Sequence, residues 1–206
     1  MTRDEAILTA AAKLFRERGF HAVGVDEIGE RAGVTGPAIY RHFSGKDEIL
    51  ATLYDQAMDR LLLLTRGNHH DEPFAALEAL VDAHVEFALG DRSQLSIYVR
   101  EDRSLADPYR RHIHRREREH VQRWIDTLTR CYPDRSREEL TTSAHAAIGL
   151  ILSMAHWPPD AFRAGDLARV ITDVVVGGLA SLGTRERPTL DGGRAAGSPA
   201  DSRLHR

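Results

Sequence analysis

The sequence predicts an all-α fold, with a small N-terminal three-helix unit followed by a larger helical body. Three observations carry this. Apolar residues recur at three- and four-residue steps along successive segments. Glycine, threonine, serine and proline punctuate those segments at positions that start or stop helices. No segment shows the strict alternation of a half-buried strand.

The first helix spans residues 4–18, where Ile7, Ala10, Ala11, Leu14 and Phe15 form one face. Gly19 supplies a left-handed stop, and Phe20 packs back on the last turn. A second short helix runs from Val25 to Ala32, with Asp26 and Glu27 at its positive end. Gly33 ends it. Thr35 caps a third helix, Pro37 sits in its first turn, and Phe43 closes it. Ser44-Gly45-Lys46-Asp47 reads as a capping box opening a fourth helix, which carries Ile49, Leu50, Leu53, Ala57 and Leu61. After a break at 67–73, further helices are expected over 73–89, 92–105, 107–130, 136–157 and 166–183. Residues 185–206 turn to Gly, Pro, Ser, Arg and Asp and read as a disordered tail. The expected division is 1–47, 48–184 and 185–206.

Composition bounds the function. The 206 residues are 29% charged and 42% hydrophobic, ordinary for a globular protein. Net charge is -3, unlike a histone-like protein, though a local basic face is enough for phosphate contact. No apolar run is long enough to span a membrane. Met1-Thr2-Arg3-Asp4-Glu5 lacks a signal-peptide core, and Cys131 is the single cysteine, so a cytoplasmic location is expected. No G-x-S-x-G, P-loop, H-E-x-x-H or paired-cysteine motif is present, which disfavours an enzyme and gives no cofactor signature. No metal site is expected either. His69-His70 falls in a loop, and His112 and His114 sit on different helix faces.

The informative stretch runs from Val25 to Phe43. Two short helices joined by a glycine turn make a helix-turn-helix, fused by Ile28, Ala32, Val34 and Ile39. Gly29 is small where the helices approach most closely, and Gly33 permits the positive φ of the turn. In such a unit the second helix enters the DNA major groove. The segment Ala32-Gly33-Val34-Thr35-Gly36-Pro37-Ala38-Ile39-Tyr40-Arg41-His42-Phe43, followed by Gly45-Lys46-Asp47-Glu48-Ile49-Leu50, resembles the TetR family of bacterial repressors. The resemblance is close over residues 4–53.

That resemblance implies a double-stranded DNA partner, with a pseudo-palindromic operator read by a homodimer. It implies base or backbone contacts for Thr35, Gly36, Pro37 and Ala38. It gives Tyr40, Arg41 and His42 phosphates or bases, and Lys46 a phosphate. Gly24 departs from the family, which usually places Ser or Thr there; glycine still caps the helix but brings no hydroxyl to phosphate. Phe43 is read as structural.

The body resembles the family's ligand-binding and dimerisation domain in helical architecture alone. On segment 107–130, Glu117 and His120 interrupt the stripe of Tyr109, Ile113, Val121, Trp124 and Leu128. His84 interrupts that of Phe74, Leu77, Val81 and Val85. Such groups either pair in a filled core or face a cavity for a small-molecule effector. Tyr98, Arg100 and Trp124 complete the expected lining. The run Arg110, Arg111, His114, Arg115 and Arg118 is either a solvated face or a site for an anionic head, such as that of an acyl-coenzyme A. The last two helices are apolar around much of their circumference. Ile148, Ile151, Leu152, Val175, Gly178 and Leu179 are therefore expected at the dimer interface. Two functions fit: a ligand-released repressor, and a DNA binder of the same fold without a ligand.

Overall fold

The computed structural model describes residues 2–66, 70–90 and 92–183, with backbone alone at Arg92 and Ser93. The expected tail at 185–206 and His69 lie outside the described residues. Among the described residues there is no strand.

Helix α1 (Arg3–Arg18) begins with a capping box. Thr2 Oγ1 accepts from the Glu5 N–H at 3.2 Å, and the Glu5 carboxylate accepts from the Thr2 N–H at 2.7 Å. Gly19 stops it at φ 80, donating to Phe15 O at 2.8 Å. Helix α2 (Val25–Ala32) ends on Gly33 at φ 71, a left-handed conformation that costs other residues energy. At Gly29 a Cβ would stand 2.9 Å from Val34 O, so only glycine lets the turn fold back this closely.

Helix α3 (Gly36–Ile39) is shorter than expected. Beyond it the chain tightens, with Arg41 N–H bonded to Ala38 O and His42 N–H to Ile39 O. Helix α4 spans Lys46–Arg66, and Glu48 rather than Asp47 closes its first turn. The Glu48 carboxylate accepts from the Ser44 N–H at 2.6 Å, which lowers its pKa.

The body contains α5 (Pro73–Gly90), α6 (Arg92–Arg100), α7 (Tyr109–Cys131), α8 (Arg137–Leu152) and α9 (Leu167–Ala180). Two expected helices end early. The 92–105 segment stops at Arg100 and gives way to a 3₁₀ turn at Asp102–Ser104. The buried Glu101 side chain is used elsewhere, accepting from the Phe20 N–H at 3.3 Å and from Ser104 Oγ at 3.0 Å. The 136–157 segment stops at Leu152 and continues as a 3₁₀ turn over Ser153–His156. Pro158 then forces Trp157 into extended backbone, at φ -69 and ψ 142.

Two apolar cores result. The first joins α1, α2, α3 and the front of α4 through Ile7, Leu14, Phe15, Ile28, Ile39 and Ile49, and takes in Ile97, Leu105 and Ile113 of the body. The second surrounds Trp124 and α5 and uses the rear of α4, through Ala57, Met58, Leu61 and Leu62. Each such large side chain contributes about 1.5–3 kcal/mol on burial. One helix, α4, is thus cemented at its front into the head and at its rear into the body.

Candidate DNA-contact surface and ligand cavity

The head presents Thr35, Pro37, Tyr40, Arg41 and His42 to solvent, with Ala38 half-buried. Tyr40 is 58% exposed, unusual for a large aromatic side chain. His42 does not hang free, since its Nδ1 contacts the Asp4 carboxylate and so ties the end of the recognition turn to α1. Gly36 departs from the expected surface role. It is buried, and a Cβ there would stand 1.9 Å from Asp26 Oδ1. Its smallness serves the crossing of α2 and α3. Phe43 is buried, as a structural residue should be.

Lys46 makes contacts within the head that the expectation did not include. Its ammonium donates to Phe20 O at 3.2 Å and to Val23 O at 3.1 Å, and sits 4.5 Å from the centre of the Phe20 ring. An ammonium has three donors. Two are committed to the α1–α2 turn, so this lysine fastens the start of α4 to the head. The partners lie more than twenty residues upstream in the chain, beyond the reach of local sequence reading.

In the body, α4, α5, α6, α7 and α8 enclose an open cavity of about 660 Å³. His84, Tyr98, Glu117 and His120, four of the six expected ligand residues, line it together with Met58 and Leu61 of α4. The other two do not. Arg100 points to solvent. Trp124 is fully buried behind the wall, where its indole N–H donates to His120 Nε2 at 3.2 Å.

That bond fixes the histidine chemistry. His120 Nε2 accepts from Trp124, so a neutral His120 carries its proton on Nδ1. His84 Nδ1 lies 3.4 Å from the same Nε2, whose one lone pair the Trp124 N–H already takes. Neither His120 Nδ1 nor His84 Nε2 has a partner. Burial lowers the pKa of both rings: His84 well below its ordinary value, His120 to about 4 with help from the Arg123 charge. The pair thus offers one unused donor, His120 Nδ1–H, and a second unpartnered ring nitrogen, His84 Nε2.

Beside them the Tyr98 hydroxyl donates to Glu117 Oε1 at 2.5 Å. Tyr98 ionises well above the usual range, through burial first and the Glu117 charge second. Glu117 therefore both pairs and faces a cavity. The basic run divides. Arg110 and Arg111 pair with Asp107, while Arg118 lines the cavity. His114, named in the same run, lines it too, and Asp102 and His145 also line it and were missed. Asp102 comes within reach only because α6 ends early.

The expected dimer residues need correction. Ile148, Ile151, Val175 and Leu179 are 9%, 0%, 3% and 6% exposed, so they fill the chain's own core. Leu152 is half-buried, and Gly178 alone of the six is fully outward. The free face of α9 instead carries Val170 and Val174, 50% and 55% exposed, beside Gly177 and Gly178. A helix apolar all round does not tell the sequence reader which face its own protomer covers.

Comparison with known proteins follows this division. The family model of bacterial regulatory proteins of the tetR family matches residues 7–53, and a tetracyclin repressor-like C-terminal domain matches residues 70–179. The HTH-type transcriptional activator FasR of Mycolicibacterium smegmatis is 38% identical over 91 residues, 40% of this chain and 42% of that protein. The HTH-type transcriptional repressor KstR2 of Mycobacterium tuberculosis is 30% identical over 130 residues, 62% of this chain and 65% of that one. The chain thus spans less than two thirds of these curated relatives. Among solved structures, AibR in complex with isovaleryl coenzyme A and operator DNA superposes with TM-score 0.75 at 22% identity, covering 85% of this chain and 97% of that one. This likeness is one of fold.

Proposed function

We propose that this chain, which belongs to the TetR family of bacterial regulatory proteins, is a homodimeric repressor released from its operator by a small amphipathic ligand. Membership makes it a DNA-binding transcriptional regulator and not an enzyme. Among the described residues no helix is long and apolar enough to cross a membrane. The finer reading is a cytoplasmic protein with a head at 1–47, a ligand and dimer domain at 48–184 and a tail at 185–206.

The observation that carries the reading is the position of α4. Met58 and Leu61 form part of the cavity wall, and the same helix begins at Lys46 under the head. An occupant pressing on Met58 and Leu61 tilts α4 and changes the spacing of the two heads. Thr35, Pro37, Ala38, Tyr40, Arg41 and His42 then lose their register on a twofold site. The dimer forms through the α8–α9 face bearing Val170, Val174 and Gly178. The ligand has an apolar part against Met58, Leu61 and Ile148, and a polar end that gives an acceptor to His120 Nδ1 and pairs with His84 Nε2. An acyl-coenzyme A fits this description, and AibR, of the same fold, binds isovaleryl coenzyme A.

The test uses the operator recovered by mapping genomic binding sites. Isovaleryl coenzyme A and longer acyl-coenzyme A thioesters are titrated against the complex, and DNA affinity is followed by fluorescence anisotropy. Release by a factor of ten needs about 1.4 kcal/mol of differential affinity. Glu117→Gln and His120→Ala are expected to lose that response and keep ligand-free DNA binding. If both variants respond like the wild type, the cavity is not the effector site.

A further inference from the structure

Asp102 opens the 3₁₀ turn after α6, and His114 and Glu117 stand one turn apart on α7. His114 Nε2 lies 2.9 Å from Asp102 Oδ1 and 3.9 Å from Glu117 Oε2. One donor atom from each of the three side chains falls within 4.8 Å of the other two. All three residues are half-buried and line the cavity.

We propose that Asp102, His114 and Glu117 bind a divalent first-row transition-metal ion in the cavity wall. Donors about 2.0–2.2 Å from one tetrahedral ion stand roughly 3.4 Å apart. The observed separations straddle that spacing, so small side-chain rotations close the site without backbone movement. The outer contacts also fit. Tyr98 donates to Glu117 Oε1, which leaves Oε2 directed to the ion and fixes the carboxylate plane. Asp102 adjoins Glu101, whose carboxylate is held by the Phe20 N–H and Ser104 Oγ.

A second, independent feature of the same cavity points to a polar occupant. His84 and His120, 1% and 3% exposed, each line it and each keep a ring nitrogen without a partner. Three protein ligands leave a tetrahedral ion one open position. An oxygen donor placed there enters the cavity beside those rings. One imidazole and two carboxylates select Zn²⁺, Mn²⁺, Fe²⁺, Co²⁺ or Ni²⁺ over soft Cu⁺. The single thiol is not available, because Cys131 is buried and donates to Pro73 O.

The inference does not depend on the effector reading, because ion uptake is measured without DNA or organic ligand. The tag-free full chain is treated with chelator, dialysed, and titrated with Co²⁺ alone, followed by visible absorption and by thermal melting. The wild type is expected to take up one ion per chain and to melt at a higher temperature as Co²⁺ rises. His114→Ala and Glu117→Gln are each expected to weaken uptake by at least about tenfold. His112→Ala, whose imidazole pairs with Asp55 at 3.1 Å, should bind like the wild type. If His114→Ala fails to fold, Glu117→Gln decides, since a glutamine still accepts from Tyr98. Absence of saturable uptake, or uptake in both ligand variants equal to that of the wild type, overturns the proposal.

Discussion

The head and the body handle buried polar atoms differently. In the head the half-buried Lys46 ammonium finds Phe20 O, Val23 O and the Phe20 ring. Three buried side-chain atoms among the described residues lack partners, and all belong to the body: His84 Nε2, His120 Nδ1 and Tyr132 Oη. The body also leaves Val170 and Val174 half exposed on α9. An unpartnered buried polar group costs about 1–3 kcal/mol. The head is therefore built for one rigid shape, which reading DNA requires. The body keeps polar atoms and apolar surface in reserve, as the proposed ligand and dimer partner require.

The largest test of this contrast lies on α9. Val175→Asp puts an unpaired charge into the core of the body and should cost about 3–5 kcal/mol, unfolding much of the protein. Val174→Asp, one residue along, should leave the protomer folded and give monomers. Urea melts and sedimentation velocity separate the two. The same result at both positions would mean that α9 has no spare face.

Next is a pair of substitutions with unequal cost. Ile39→Ala opens the filled head core and should cost about 2–5 kcal/mol. His84→Leu removes a buried ring with an unused nitrogen, and should cost far less or raise stability. Equal losses in urea midpoint would show that the histidine is as well satisfied as the head core.

Lys46→Ala should cost about 1–2 kcal/mol, through the lost carbonyl bonds and ring contact. Its DNA affinity should show an unchanged salt dependence once the protein is folded. A salt slope lower by about one unit would return this lysine to the phosphate role that the family motif implies.

The last test is with pH. The folded pKa of His120 is lowered to about 4, and that of His84 is held well below its ordinary value of 6.5 by burial and by His120. Between those limits the unfolded chain binds more protons than the folded one, so stability rises with pH. It is fully present above about pH 6.5 and falls as pH drops towards 4. His120→Gln should flatten part of that slope. An unchanged slope would assign it to other groups.

These outcomes also mark where the sequence was readable. Gly29 and Gly33 disclosed the helix-turn-helix because their constraint is local: one approaches Val34 O, the other takes a positive φ. His84, Glu117 and His120 were readable as polar interruptions of apolar stripes. The contacts of Lys46 within the head were not readable because Phe20 and Val23 come from a distant turn. Asp102 was missed because it falls in the 3₁₀ turn that replaces the expected end of α6, and no residue at that point announces the stop. Val175 and Val174 are the same residue type on one apolar helix, so only packing tells them apart.

The most direct measurement compares affinities at one fixed salt concentration for the duplex recovered by genomic mapping and for a scrambled duplex of equal length. A specific regulator should prefer its operator by a factor of about 10³ or more. Equal affinities would contradict the account, because the exposed turn from Thr35 to His42 would then be gripping phosphates and reading no bases.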